Sequence, residues 1–335
     1  MTTVSVIIPA RNAAPWIRDA ICSVATQTLA ASEVIVIDNA STDDTCTVVH
    51  QMQVSIPELI LVRNQQDLGV GASRNIGIRR ATGDWIAFLD ADDWFAPVRL
   101  RRLTELGERT GASIVADNQF FTLGPNDPPL RTLIATHGGQ LEMIDLESFL
   151  RRDRVVAIGN FGLLKPIFRR EFLQAFGIRY DEDPAIKIGE DSLFYIRCLI
   201  TGERMLLTDE ALYFYRRHPA SLTHTMTTDS VRVLVNKNRE VLARLRAEAG
   251  SSLAEAIEQT LADQDDIVAY FELIELVRGR RWLAALFRLL ASRGRTFFLL
   301  RRATQGLAGR ISESQLRQSI VSKIHARRSR SACLY

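Results

Sequence analysis

Three carboxylates stand close together in Asp90-Ala91-Asp92-Asp93, directly behind the apolar run Trp85-Ile86-Ala87-Phe88-Leu89. Acids packed this closely repel one another unless solvent or a cation screens them. Hard divalent cations such as Mg2+ and Mn2+ take carboxylate and phosphate oxygens, so the cluster suits a metal held against a diphosphate. The plainer alternative is a solvated acidic turn capping the next helix. Two other polar groups follow apolar runs in the same way, Pro9-Ala10-Arg11 after Val4 to Ile8 and Asp38-Asn39 after Glu33 to Ile37. Asp38 could accept a hydrogen bond from a base N–H or a ribose hydroxyl, or serve only as a turn or cap residue.

The elements that must position these groups follow from the alternation of short β-branched runs with helical patterns, which predicts parallel strands joined by crossover helices. Val4 to Pro9, Glu33 to Asp38, Leu59 to Asn64 and Trp85 to Asp90 read as four strands. Pro15 suits the first position of a helix running to about Thr26. Ser41 to Asp44 supply cap candidates and first-turn acids for a second helix, and a third runs from Gly69-Val70-Gly71 to about Ala81. In open parallel sheets the ligand sits beyond the carboxyl ends of the strands, which would gather all three polar groups into one crevice.

Gly69 to Asn75 has the outline of a dinucleotide fingerprint, but Arg74 occupies the third glycine position and the loop does not follow the first strand, so that reading is rejected. Arg74 is left as a candidate diphosphate ligand or a surface charge. Further on, the pattern predicts a helix from about Pro97, a strand at Ala112 to Ala116, a turn region around Gly124 to Pro129, a helix opened by Gly189-Glu190-Asp191 and a strand at Ala211 to Tyr215. Beyond Met226 it is almost wholly helical, with segments near 228–248, 252–276, 280–292 and 312–327.

Taken in order, VSVIIPARN, EVIVIDNASTDDT and GASRNIGIRRATGDWIAFLDADD resemble the glycosyltransferase family 2 enzymes over roughly residues 3–225. The resemblance implies an α/β fold of the GT-A type: a mostly parallel sheet flanked by helices, here with a C-terminal helical extension. It implies a nucleotide-sugar-binding and catalytic domain at 1–225 and a basic helical extension at 226–335. The implied reaction is an inverting transfer from a nucleotide-diphospho-sugar, UDP-glucose being the donor to test first, to a glycan or lipid-linked oligosaccharide. A succinoglycan-type exopolysaccharide subgroup is suggested, and inversion of an α-linked donor would give a β-linkage.

The resemblance also assigns residues. The donor would meet Pro9, Ala10, Arg11, Asp38, Arg74, Asp90, Ala91, Asp92, Arg217 and His218. Mg2+ or Mn2+ would be held mainly by Asp92, with Asp90 in the ribose or metal shell. Gly189-Glu190-Asp191 looks like the family's ED motif, which implies Asp191 as the base that deprotonates the acceptor hydroxyl and Glu190 as its orienting partner or an acceptor contact; the plainer alternative is that both acids cap the helix. Tyr213 to His224, with Arg216, Arg217 and His218, resembles the segment that closes over the leaving diphosphate.

Composition limits the rest. With 335 residues, 47% of them hydrophobic, a packed core is assured and a disordered or collagen-like chain is excluded. Cys22, Cys46, Cys198 and Cys333 form no CxxC pair, so reduced thiols and no zinc site are expected. The N-terminus lacks the features of a signal peptide and no apolar run reaches about 18 residues, so a cytoplasmic protein is expected. The net charge of +3 hides an asymmetry: residues 278–335 carry 14 Lys and Arg against the single acid Glu313. In RRWLAALFRLL, Trp282, Leu283, Leu286, Phe287, Leu289 and Leu290 share one side of a helix, which suits the anionic inner face of a membrane or packing on protein. No nucleic acid is expected as a partner.

Two rival functions fit less well. A sugar nucleotidyltransferase would want a glycine-rich basic loop where Pro9-Ala10-Arg11-Asn12 stands. A non-catalytic, nucleotide-binding membrane scaffold would not need both Asp92 and Asp191.

Overall fold

A computed structural model of the chain describes residues 2–153, 161–186, 189–218 and 227–291. The β-branched runs form the centre of its sheet. Strands β1 (Val4–Ala10), β2 (Glu33–Asp38), β3 (Leu59–Arg63) and β4 (Trp85–Phe88) are parallel and lie in the order β3-β2-β1-β4. Every residue of β1, β2 and β4 is buried, as expected where helices cover both faces of a parallel sheet. The period of two sorts the side chains. Ile7, Ile35, Ile37 and Phe88 enter one core, while Val6, Ile8, Val34 and Val36 enter the other.

Helices α1 (Ile17–Ala25), α2 (Thr45–Gln53) and α4 (Arg99–Thr110) supply Ile17, Ile21, Val49, Leu100 and Leu103 to the second core. Into the first core α3 (Val70–Arg80), α6 (Arg170–Ala175) and α7 (Glu190–Leu199) send Ile78, Phe172 and Phe194. Helix α1 begins two residues later than expected, because Ala13 O accepts from the N–H groups of both Trp16 and Ile17 and makes Ala13 to Trp16 a turn.

The rest of the sheet is mixed. Its further elements are β5 (Trp94–Phe95), β6 (Ile114–Thr122), β7 (Arg131–Thr132), β8 (Leu141–Ile144), α5 (Leu146–Arg152), β9 (Ile167–Arg169) and β10 (Met205–Arg216). Short β9 lies between β4 and β6, antiparallel to both, and β10 runs parallel to β6. Strand β6 continues six residues past the expected Ala116. Its polar Asp117 and Asn118 are buried but paired, with Arg99 and with Ile134 O. Strand β10 starts six residues before Ala211 and carries the polar Thr208-Asp209-Glu210 across register shifts.

The chain divides into two compact units, Met1–Asp265 and Asp266–Tyr335. The first therefore runs past the division expected at residue 225. Helix α8 (Thr228–Arg246) packs Leu234 with Ile186 and Leu193, and Leu242 joins Ala256 and Ile257, from α9 (Ser251–Arg278), in the first core. Helix α10 (Trp282–Ala291) lies in the second unit, and the helix expected at 312–327 falls outside the described residues.

Candidate active site

The acidic turn leaves the end of β4. Leu89 N–H donates to Ile7 O at 3.0 Å, and Asp93 N–H closes the turn on Asp90 O at 3.0 Å. Strand β10 fixes it from the far side. Tyr213 Oη accepts from Asp90 N–H at 3.2 Å and donates to Asp93 Oδ2 at 2.7 Å, and Arg216 N–H donates to Asp93 Oδ1 at 2.7 Å. The Arg216 guanidinium bonds to Asp92 O at 2.7 Å and to Asp19 Oδ2 at 2.6 Å. Burial, then the neighbouring Asp92 and Asp90, push the Asp93 carboxyl well above the usual range. Asp93 thus shapes the turn, and Arg216, already engaged by Asp19 and the turn, is part of the scaffold.

Asp92 and Asp90 are both partly exposed, Asp92 slightly more so. His218 Nε2 lies 2.8 Å from Asp92 Oδ2, and the His218 ring stacks on Trp16 at 4.2 Å between centroids. Asp90 faces inward, where Arg74 of α3, itself 1% exposed, donates to Asp90 Oδ1 at 2.8 Å and to Glu190 Oε1 at 2.7 Å, and lies 3.0 Å from Asp191 Oδ1. Lys165, just before β9, donates to Asp191 Oδ2 at 2.5 Å and pairs with Asp90 Oδ2 at 3.0 Å. Tyr180 Oη donates to Asp191 Oδ1 at 3.1 Å, and its ring lies 5.1 Å from the Arg74 guanidinium carbon.

Three carboxylates against two cations leave this cluster with one negative charge in excess. Burial alone would raise the Asp90 pKa, but Lys165 and Arg74 bring it well below the usual carboxylate range. Glu190 goes the other way, raised by burial and then by Asp191. Lys165 stays protonated: burial opposes its charge, but Asp191 and Asp90 more than offset that.

Local backbone explains how α7 presents its acids. Gly189 sits before Glu190 at φ +81°, in the left-handed region, and an added Cβ would lie 2.4 Å from Leu234 Cδ2 of α8. Any other residue there would be strained, and its Cβ would push the Leu234 side chain aside. Glu190 and Asp191 occupy the first turn, where exposed N–H groups favour negative charge. A second buried ion pair holds Lys165 from behind. The Arg99 guanidinium grips Asp117 through Nε at 2.9 Å and Nη2 at 2.6 Å, both side chains fully buried, and also donates to Lys165 O.

Beyond the carboxyl ends of β1 and β2, Ala10 pairs in register with Asp38 and Pro9 with Ile37. Asn12 and Ala40 both adopt positive φ, which turns the chain sharply at these two ends. Asp38 is fully buried; its Oδ2 accepts from Ser41 N–H at 3.3 Å, while Oδ1 meets no hydrogen-bond partner. The nearby Cys46 thiol is pushed up to about 11 by burial and then by Asp38. Arg11 pairs with Asp67, which also accepts from Asn39 Nδ2 at 2.6 Å and from Gly69 N–H at 3.0 Å.

Arg74 is buried among three carboxylates, and each oxygen of Asp90 faces a cation. The Arg217 N–H donates to Thr122 O, and its charge depresses Arg131, itself lowered chiefly by burial. Residues 219–224 of the anticipated closing segment lie outside the described residues. Lys165, Tyr180, Asp67 and Trp16 are absent from the sequence expectation. Lys165 carried one signal, a lone charge in the apolar run Leu163-Leu164-Lys165-Pro166-Ile167-Phe168, which buries a cation and so demands carboxylate partners.

Comparison with known proteins bears directly on this arrangement. The family described as Glycosyl transferase family 2 matches residues 5–169. The succinoglycan biosynthesis protein ExoO of Rhizobium meliloti is 30% identical over 310 residues, covering 92% of this chain and 86% of that protein. The chain belongs to glycosyltransferase family 2. ExoU of the same organism is 33% identical over 256 residues, covering 76% of this chain and 73% of that protein.

Among solved structures, S. aureus TarS 1-349 in complex with UDP-GlcNAc aligns with a TM-score of 0.59 at 17% identity, covering 91% of this chain and 92% of that one. The mannosyltransferase PcManGT from Pyrobaculum calidifontis, in complex with GDP-Man and Mn2+, aligns with a TM-score of 0.55 at 19% identity, covering 91% of this chain and 80% of that one. The fold is thus the GT-A fold, with helices on both sides of the sheet and C-terminal helices, and the family 2 chain is a glycosyltransferase.

Proposed function

We propose that this glycosyltransferase moves a sugar, with inversion, from a nucleoside diphosphate to a hydroxyl of a glycan or lipid-linked oligosaccharide during exopolysaccharide assembly. The observation that carries the reading is the double bridge from Asp90 to Asp191. It links the end of β4, where a donor is expected, through two shared cations to the acid pair at the start of α7. UDP-glucose is the first donor to test; TarS complexes with UDP and UDP-GlcNAc favour uridine, whereas PcManGT was captured with GDP-Man.

In this reading Asp38, with its unpartnered Oδ1, takes a hydrogen bond from the base or ribose, and Pro9, Ala10 and Arg11 form the floor beside it. Asp191 accepts the proton of the attacking hydroxyl on the face opposite the leaving group, while Arg74 and Tyr180 hold its Oδ1. Glu190 holds the other edge of Arg74.

Among the described residues no group of three or more His, Cys, Asp or Glu gathers as a metal cage. Mg2+ needs none, since it binds through one or two carboxylates completed by substrate phosphates and water, and partly exposed Asp92 fits that role with His218 beside it. Bound there, Mg2+ or Mn2+ would offset the charge on the departing diphosphate.

The membrane surface belongs to the same reading. Among the described residues no helix is long and apolar enough to cross a bilayer. On α10, however, Trp282, Leu283, Leu286 and Phe287 are exposed and span an arc of about 140° at 3.6 residues per turn. Exposed Arg278, Arg280 and Arg281 precede them, so the segment suits the interface of an anionic inner leaflet.

The deciding experiment incubates the purified protein with a panel of nucleotide sugars and Mg2+ or Mn2+, with and without membrane lipid extract. Release of nucleoside diphosphate that depends on lipid extract is expected, and no release from any donor would overturn the reading. Deleting residues 278–335 should free the protein from anionic liposomes, and undiminished binding would remove the membrane assignment.

A further inference from the structure

We propose that Lys165 is a positioning residue for transfer, fixing the Asp191 carboxylate on the acceptor side and the Asp90 carboxylate on the donor side as one unit. The inference rests on the glycosyltransferase reading above and adds a residue to it.

The geometry is a pair of parallel bridges. Arg74 takes Oδ1 of both acids, at 2.8 Å from Asp90 and 3.0 Å from Asp191. Lys165 takes Oδ2 of both, at 3.0 Å and 2.5 Å. With Arg74 alone either carboxylate could swing about its Oδ1 contact. The second bridge removes that freedom and decides which lone pair of Asp191 is left toward an incoming hydroxyl.

Lys165 is built for this task from its backbone outward. Its side chain is 6% exposed, flanked by fully buried Leu164, and its carbonyl is held by Arg99, itself clamped to Asp117. Folding alone does not account for a buried ammonium in such a place, because well-packed apolar residues of similar volume often replace buried ion pairs with no loss of stability. An ammonium can hold two carboxylates in place and in their ionised form.

The charged and titratable groups facing Asp191 are Arg74 from α3, Lys165 from the segment before β9, Tyr180 from the segment after α6, and Glu190 and Tyr195 from α7. Removing Lys165 leaves Arg74 as the one cation among them. The Oδ2 edge of Asp191 is then left without its ammonium partner, and only the Oδ1 contacts to Arg74 and Tyr180 remain to orient it.

The test uses Lys165→Met, Lys165→Gln and Lys165→Arg in the full chain, with two readouts. In kinetics, Lys165→Met and Lys165→Gln should lower kcat by about tenfold or more with little change in donor KM. Lys165→Arg should recover part of the kcat loss. In the free protein, the 13C carboxyl resonance of Asp191, identified by its loss in Asp191→Asn, should move in Lys165→Met, because the ammonium on its Oδ2 is gone. Folded Lys165→Met with native kcat and an unmoved Asp191 resonance overturns the proposal, as does a loss confined to donor KM. If neither Met nor Gln at 165 folds while Lys165→Arg keeps native kcat, Lys165 serves folding alone and the proposal fails. Because the resonance needs no donor, absence of transfer by the native chain would count against the enzymatic reading and leave this inference to its own test.

Discussion

Arg99 and Arg74 are both buried guanidinium groups, yet their surroundings differ in charge balance. Arg99 meets one carboxylate, Asp117, and both side chains are fully buried; the other contacts of its guanidinium are Lys165 O and the rings of Phe95 and Tyr213, at 4.3 and 5.3 Å. Arg74 and Lys165 together meet three carboxylates, one of which, Asp90, remains a quarter exposed. A balanced, closed pair is complete by itself and serves the frame. An unbalanced cluster that reaches solvent is completed only by something that arrives, here a proton or a substrate.

The strongest way to break the contrast is to neutralise the unbalanced side. Asp191→Asn should lower acceptor-dependent turnover by about 10²- to 10⁴-fold, the usual contribution of a general base, while the thermal melt stays cooperative. Retained turnover would move the proton acceptor elsewhere. On the balanced side, Arg99→Met strands Asp117 and should cost about 3–5 kcal/mol in urea denaturation, whereas the double change Arg99→Met with Asp117→Leu should restore most of it. If the double variant is no better than the single one, the pair is more than a matched neutral unit.

A subtler effect separates the two sites by pH. Glu190 has its pKa raised in the folded chain, so its contribution to stability is full below the unfolded pKa and declines as pH rises through the folded value. Glu190→Gln should therefore gain stability relative to the native chain across that rise, measured as Tm against pH. Parallel curves would place no strain at Glu190. The smallest effect should come from the half-exposed surface pair Arg152 and Glu142, where Glu142→Gln should change stability by less than about 1 kcal/mol. A larger loss there would show that exposure is a poor guide to which pairs matter in this chain.

Much of the frame was legible in the sequence, because β1 to β4 are uninterrupted apolar runs separated by helical periodicity and turn residues. The positions of Asp38, the Asp90 turn and the Glu190-Asp191 start of α7 followed from the same pattern. Strand β9 was not legible: at three residues it carries too little pattern, and its place between β4 and β6 depends on pairing between residues about 80 apart. The cluster that holds Arg74 and Asp90 was not legible for a related reason. The two pair directly over 16 residues, but the cluster is completed by Lys165 and Asp191, brought in from about 75 to 117 residues away. Long-range charge matching leaves no periodic trace.

The contact between Gly189 and Leu234 bears on how this enzyme can be cut and recombined. The turn that aims the acid pair is roofed by a helix that a motif-based boundary would discard. A chimera joined near residue 226 would carry every signature segment of the family yet lose the surface against which α7 is set. Exchange of acceptor specificity between such enzymes should therefore treat residues up to 265 as one inheritable piece, with the seam placed inside α9 or beyond it.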